Sequence, residues 1–72
     1  MAARANFPGD NPRDDLDAYL GLTQEEAERR AREHGWTTVR SLPQDAVVTL
    51  EYVVGRLNLG VDGGKVRRCW LG

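Results

Sequence analysis

The segment 56–64 has the sequence Arg56-Leu57-Asn58-Leu59-Gly60-Val61-Asp62-Gly63-Gly64, which predicts part of a β-sheet. Leu57, Leu59 and Val61 fall on alternate positions, which predicts a strand with one buried face. The Asp-Gly-Gly sequence that follows predicts a hairpin turn. The chain then returns as a second predicted strand over 65–71, so this half of the molecule is a β-hairpin.

Upstream of the hairpin, the sequence Thr23-Gln24-Glu25-Glu26 is a capping box, which predicts a helix over 24–34. Gly35 is placed to end that helix. Ala27 and Ala31 give it a narrow stripe of small apolar residues, which indicates close packing against a sheet. A further strand is predicted over 36–42, closed by Pro43.

The composition excludes several classes of protein. With 72 residues the chain has room for one domain, and its 10 Lys and Arg against 11 Asp and Glu leave a net charge of -1. That balance disfavours nucleic acid and anionic membrane surfaces as partners. No apolar stretch is long enough to span a membrane. One Cys and one His cannot form an intramolecular disulfide or a structural zinc site, so we expect no metal and no cofactor.

The first residues have the composition of an unstructured tail. Residues 1–15 contain Pro8, Gly9 and Pro12, and Phe7 is their only large apolar side chain after Met1. We therefore predict a disordered arm over 1–16 that contributes little to folding, followed by a domain over 17–72. No secretory signal is visible, which predicts a cytoplasmic protein, or a secreted one if a signal has been removed. We expect a monomer.

The segment 46–54 is ambiguous, with the sequence Ala46-Val47-Val48-Thr49-Leu50-Glu51-Tyr52-Val53-Val54. Its β-propensity favours a central strand. Its polar and apolar positions do not alternate, so one face cannot bury all of the apolar side chains. The other interpretation is an extended segment that displays these side chains to a partner.

In this segment the chain resembles the potato inhibitor I family of serine-protease inhibitors, including its bacterial relatives. The most specific match is Val48-Thr49-Leu50-Glu51-Tyr52 with Arg56 five residues after Glu51. The other matching pieces follow in the family's order and are 21–27, 42–43, 57–59, 61–62 and Gly72. Together they cover about 17–72, nearly everything except the arm.

The resemblance implies an α+β fold, with one helix on a small mixed sheet and a long exposed reactive-site loop over 44–55. The implied reactive bond is Leu50–Glu51, with Leu50 at P1, Thr49 at P2, Val48 at P3 and Tyr52 at P2′. An apolar P1 residue suits subtilisin- and chymotrypsin-like serine proteases, and it offers no cation to the carboxylate of a trypsin-like pocket.

The family supports its loop with two basic residues on the following strand. Arg56 resembles the first and is expected to face Thr49 and Glu51, whereas the second position is the neutral Asn58. That departure leaves an alternative open, in which a protein-binding module of the same fold uses the same loop without inhibiting proteases. An enzyme is not predicted, because no nucleophile, base and orienting group have a recognisable spacing.

Overall fold

A computed structural model of the chain describes residues 11–46 and 51–72. A short 3-10 helix at Leu16–Tyr19 precedes the α-helix α1 at Gln24–Glu33. The strands are β1 at Thr38–Pro43, β2 at Arg56–Asp62 and β3 at Lys65–Leu71. The predicted α+β fold, one helix packed on a small mixed sheet, is confirmed. Among the described residues, no helix has the length and apolar character needed to cross a membrane.

The sheet has the order β1-β2-β3, with β2 in the centre. β2 pairs in parallel with β1 and antiparallel with β3. Because two parallel strands cannot be joined by a tight turn, the chain must cross from one end of the sheet to the other. Residues 44–55 make this connection, and their described parts contain no strand. Residues 47–50 lie outside the described residues.

The helix begins at the predicted capping box. The Thr23 hydroxyl accepts a hydrogen bond from the Glu26 amide at 3.2 Å, and the Glu26 carboxylate accepts one from the Thr23 amide at 3.1 Å. Ala27 and Ala31 are fully buried against the sheet, as their small size predicts. The buried apolar residues form one cluster: Tyr19, Ala27, Ala31, Trp36, Leu57, Leu59 and Val66.

The region between the helix and β1 differs from the prediction. The helix ends at Glu33 with His34 as its cap, and β1 begins at Thr38 rather than at Trp36. The Trp36 amide donates to the Ala31 carbonyl at 3.1 Å, and its indole N–H donates to the Asp14 carboxylate at 2.8 Å. Trp36 therefore closes the end of the helix and does not pair in the sheet.

The described part of the predicted arm is bonded to the domain through Asn11 and Asp14. The Asp14 side chain is only 5% exposed. Its carboxylate accepts hydrogen bonds from the Tyr19 hydroxyl at 2.5 Å, the Trp36 indole at 2.8 Å and the His34 ring at 2.8 Å. A carboxylate with this many partners belongs to the folded domain. The rest of the predicted arm, 1–10, lies outside the described residues.

Candidate functional site

The face of the sheet opposite α1 is rich in arginine. Leu57, Leu59 and Val66 point to the helix side, into the core. Because side chains alternate along a strand, Arg56 and Asn58 lie on the other face of β2. The strand register places Arg40 and Trp70 beside Asn58, and Arg68 beside Gly60, on that same face. That face, which we call the arginine face, carries Arg40, Arg56, Asn58, Arg68 and Trp70. The register shift between Gly60 and Val61 allows Val66 to face the core although Arg68, two residues later, does not. The segment 44–55 starts where β1 ends and finishes where β2 begins.

Arg56 is the most buried of the three arginines on this face, with 8% of its surface exposed. Its guanidinium donates two hydrogen bonds to the Gly72 carbonyl, from Nη2 at 2.6 Å and from Nε at 3.1 Å. Nη2 also donates to the Glu51 carbonyl at 3.4 Å. The Glu51 carboxylate is 4.0 Å from Nη1 and is 71% exposed, so this ion pair contributes little to stability.

The sequence predicts that Arg56 faces Thr49 and Glu51. A contact with Glu51 is present, and it is made mainly through the backbone carbonyl rather than the acid group. Thr49 lies outside the described residues. The strongest partner, Gly72, was not anticipated as a hydrogen-bond acceptor for Arg56, although the resemblance included it. Hydrogen bonds from a charged donor are stronger than those between neutral groups. The Arg56 guanidinium therefore holds the main chain of Glu51 close to that of Gly72.

Gly72 in turn holds the residues after Glu51. Its amide donates to the Arg56 carbonyl at 3.1 Å, and its carbonyl accepts from the Val53 amide at 3.4 Å. The ring of Tyr52 lies directly on it, since a Cβ added at Gly72 would come within 2.5 Å of the Tyr52 ring. Tyr52 is nevertheless 57% exposed. One side of its ring is therefore covered by Gly72, and the rest is exposed to solvent.

Gly55 fixes the point where the segment 44–55 rejoins the sheet. Its carbonyl accepts from the amides of Thr37 at 3.0 Å and Thr38 at 3.2 Å, and from the Thr37 hydroxyl at 3.2 Å. Its φ of +82° is in the left-handed region, and an added Cβ would lie 2.5 Å from the Thr37 hydroxyl oxygen. The site therefore requires glycine at this position.

Asn58, the second predicted support, is fully buried and faces its neighbouring strands. Its side-chain oxygen accepts from Arg40 Nε at 2.8 Å, and its side-chain nitrogen donates to the Trp70 carbonyl at 3.3 Å. Within the described part of the chain these bonds run across the sheet, and none reaches the segment 44–55. Asn58 therefore positions Arg40, and its role as a loop support stays a prediction.

Arg40 was not identified from the sequence. It stands opposite Asn58 in the parallel pairing of β1 with β2. Its Nη2 is buried and has no hydrogen-bond partner among the described residues. The only local signal for Arg40 is that it alternates with Val39 along β1, which puts it on the polar side of that strand. The register that brings it beside Asn58 depends on the long connection and has no local signal.

Arg68 is exposed on β3 and makes two contacts. Its guanidinium carbon lies 4.6 Å from the centre of the Trp70 ring, within the range of a cation–π interaction. Its Nη1 donates to the Gln44 carbonyl at 3.4 Å. Arg68 thus contacts the start of the segment whose far end Arg56 holds.

The described side chains offer little for catalysis. The Cys69 thiol is partly buried, and burial followed by the charges of Asp14 and Asp17 raises its pKa to about 12, so it is a poor nucleophile at neutral pH. His34 is bound to Asp14, and Ser41 donates to Glu28 at 2.6 Å. Within 11–46 and 51–72, no group of His, Cys, Asp and Glu is arranged to hold a metal ion.

The described contacts hold residues 51–53 against the domain and leave two apolar side chains exposed. The main chain binds at Glu51 and Val53, and the Tyr52 ring rests on Gly72. Part of the Tyr52 ring and the Val54 side chain remain exposed. Comparison of the chain with family models and with curated proteins finds no match.

Proposed function

We propose that this protein is a serine-protease inhibitor that binds its target as a substrate does, through the loop 44–55, with Leu50–Glu51 as the reactive bond. The resemblance of 48–52 to the potato inhibitor I family supplies the register. The observation that carries the proposal is the buried Arg56 guanidinium, which binds the Glu51 carbonyl from the arginine face. Glu51 is the residue that would become the new amino terminus if the bond were cut.

Holding Glu51 is what separates an inhibitor from a substrate in this mechanism. Attack by the protease serine breaks the Leu50–Glu51 bond and leaves an acyl-enzyme on the Leu50 carbonyl and a free amine on Glu51. If the amine stays beside the acyl group, it attacks the acyl carbon, the ester bond to the protease serine breaks, the serine oxygen takes up the proton that the amine loses, and the peptide bond forms again. Arg56 and Gly72 keep 51–53 in place through the bonds described above, which favours this reversal.

Pre-organisation also favours tight binding. A loop that is already ordered loses little entropy when it binds, so more of the contact energy appears as affinity. In the proposed complex the loop lies along the protease cleft as an added strand, and main-chain hydrogen bonds contribute affinity while Leu50 fills the apolar P1 pocket. The Tyr52 ring is exposed and lies on Gly72, which supports the proposal that it contacts the protease at P2′.

A panel of proteases tests this proposal. We expect stoichiometric inhibition of subtilisin- and chymotrypsin-type enzymes and weak inhibition of trypsin, because Leu50 carries no positive charge. The change Leu50→Lys should shift the preference toward trypsin. The matched control is Leu20→Lys, which puts the same charge on another exposed leucine and should leave the ranking of the proteases unchanged.

Three outcomes contradict the proposal. Equal inhibition of trypsin by the parent protein would contradict the P1 assignment, and so would a Leu50→Lys protein with an unchanged ranking. If a folded parent protein inhibits none of the three enzyme types, the inhibitor function is wrong and the non-inhibitory binding module takes its place.

A further inference from the structure

The side chain of Asn11 joins the N-terminal segment to the return of the loop. Its Nδ2 donates to the Tyr52 hydroxyl at 2.7 Å, and its Oδ1 accepts from the Gly55 amide at 2.9 Å. One carboxamide therefore bridges two points of the segment 51–55. A donor and an acceptor on the same planar group are both satisfied, which fixes the orientation of the amide.

The main chain around Asn11 is held in place a short distance downstream. Asp14 is the buried carboxylate described above, bonded to Tyr19, His34 and Trp36. Pro12 lies between the two and restricts the backbone of Asn11 to extended conformations. Asn11 thus reaches the loop from an anchored, stiffened segment, which lowers the entropy lost when its two bonds form.

We infer that residues 11–14 are a strap that positions the P2′ side of the reactive loop, with Asn11 as the positioning residue. The inference rests on the proposed function for its inhibitory consequence. Asn58, at the family's second basic position, has no described contact with the loop. The strap supplies a further attachment at Tyr52 and Gly55, the region that must stay in place while the Leu50–Glu51 bond is broken and re-formed.

The physical part of the inference is tested without a protease, by amide hydrogen exchange measured by NMR on the full chain. The variant Asn11→Ala removes both bonds and should speed exchange of the Gly55 amide about tenfold, which corresponds to about 1.4 kcal/mol. Exchange at Leu57 and Leu59, in the core, should change much less, since these amides report global opening. The control is Arg13→Ala, at an exposed residue of the same segment, which should leave Gly55 unchanged.

Two results of this measurement overturn the strap. One is an unchanged Gly55 exchange rate in Asn11→Ala. The other is an equal acceleration at Gly55, Leu57 and Leu59, which would show that Asn11 only stabilises the domain as a whole. Faster exchange at Gly55 alone supports the strap whether or not the protein inhibits proteases. A failure of the strap can therefore be distinguished from a failure of the proposed function.

The inhibitory consequence is measured on the same variants with subtilisin. Asn11→Ala should be cleaved at Leu50–Glu51 several-fold faster than its parent, and Tyr52→Phe, which loses one of the two bonds, should show a smaller increase. A parent that inhibits subtilisin together with an Asn11→Ala protein cleaved no faster would overturn the positioning role even if Gly55 exchange responds. Arg13→Ala should match the parent.

Discussion

The two ends of the segment 44–55 are attached to the domain in different ways. At its start, the Gln44 amide donates to the Val61 carbonyl at 3.0 Å, and the exposed Arg68 contacts the Gln44 carbonyl at 3.4 Å. At its return, residues 51–55 are bound by five residues outside the segment: Asn11, Thr37, Thr38, Arg56 and Gly72. Among the described residues of this segment, 44–46 and 51–55, most of the support is therefore on the side of the proposed reactive bond that would otherwise leave as product.

The return end offers the largest expected effect, from Gly55→Ala. The left-handed φ of +82° and the approach of the new Cβ to the Thr37 hydroxyl should together cost about 2–3 kcal/mol in the free energy of unfolding. Gly21→Ala is a matched control, because Gly21 has φ of +88° and nothing within 4 Å of the added Cβ. Urea denaturation measures both. Equal losses in the two variants would show that the Thr37 contact adds nothing to this end.

Asp14, which anchors the strap to the domain, should make the attachment of the return end dependent on pH. Burial raises the pKa of the Asp14 carboxyl, but the hydrogen bonds from Tyr19, Trp36 and His34 outweigh it and hold the pKa below its usual range. Because the folded-state pKa is the lower one, this stabilisation is present above the ordinary Asp pKa near 4 and is lost as the pH falls through the folded value.

The expected result for Asp14→Asn is a loss of about 1.5–3 kcal/mol in the free energy of unfolding at pH 7, the scale of bonds to a charged group. Its difference from the parent should shrink when the pH is lowered below about 4. Denaturation curves at a series of pH values measure this. Asp17→Asn, at an exposed position, should change stability by less than about 0.5 kcal/mol. A constant difference across the pH range would contradict the role given to the Asp14 charge.

The start of the segment should give the smallest effect. Arg68→Ala removes an exposed cation–π contact and one long hydrogen bond, so we expect a loss of about 0.5–1 kcal/mol. Inhibition should be nearly unchanged. Arg67→Ala, on the adjacent exposed strand residue, is the control. If Arg68→Ala weakens inhibition as much as changes at the return end do, the two ends do not differ in the way described.

Much of the fold was predictable because its signals are local. The capping box joins Thr23 to Glu26 across one helical turn, and the alternation of Leu57 and Leu59 defines the buried face of β2 within one strand. The hairpin follows from its turn sequence. Each of these features depends on residues close together in the chain, so the sequence pattern carries the information directly.

The support of the candidate site was less predictable because it depends on distant residues. Asp14 lies in a segment rich in Pro, Gly and Asp, which is typical of a tail, yet two of its partners are 20 and 22 residues away. Asn11 meets its partners 41 and 44 residues away. Arg40 reaches Asn58 only through the register of a parallel pair. No short-range pattern fixes any of these contacts.

Arg56→Ala tests the central claim, that the return end keeps the loop an inhibitor. Loss of its bonds to the Gly72 and Glu51 carbonyls should cost about 1.5–3 kcal/mol of loop order, and the amine formed on Glu51 would then leave before the bond is restored. The measurement is a time course with subtilisin, followed by mass spectrometry, with Arg68→Ala as the matched arginine control. We predict that Arg56→Ala loses inhibition with time and yields a new amino terminus at Glu51, while the parent and Arg68→Ala remain intact. An Arg56→Ala protein that binds as tightly and resists cleavage as long as its parent would contradict the account.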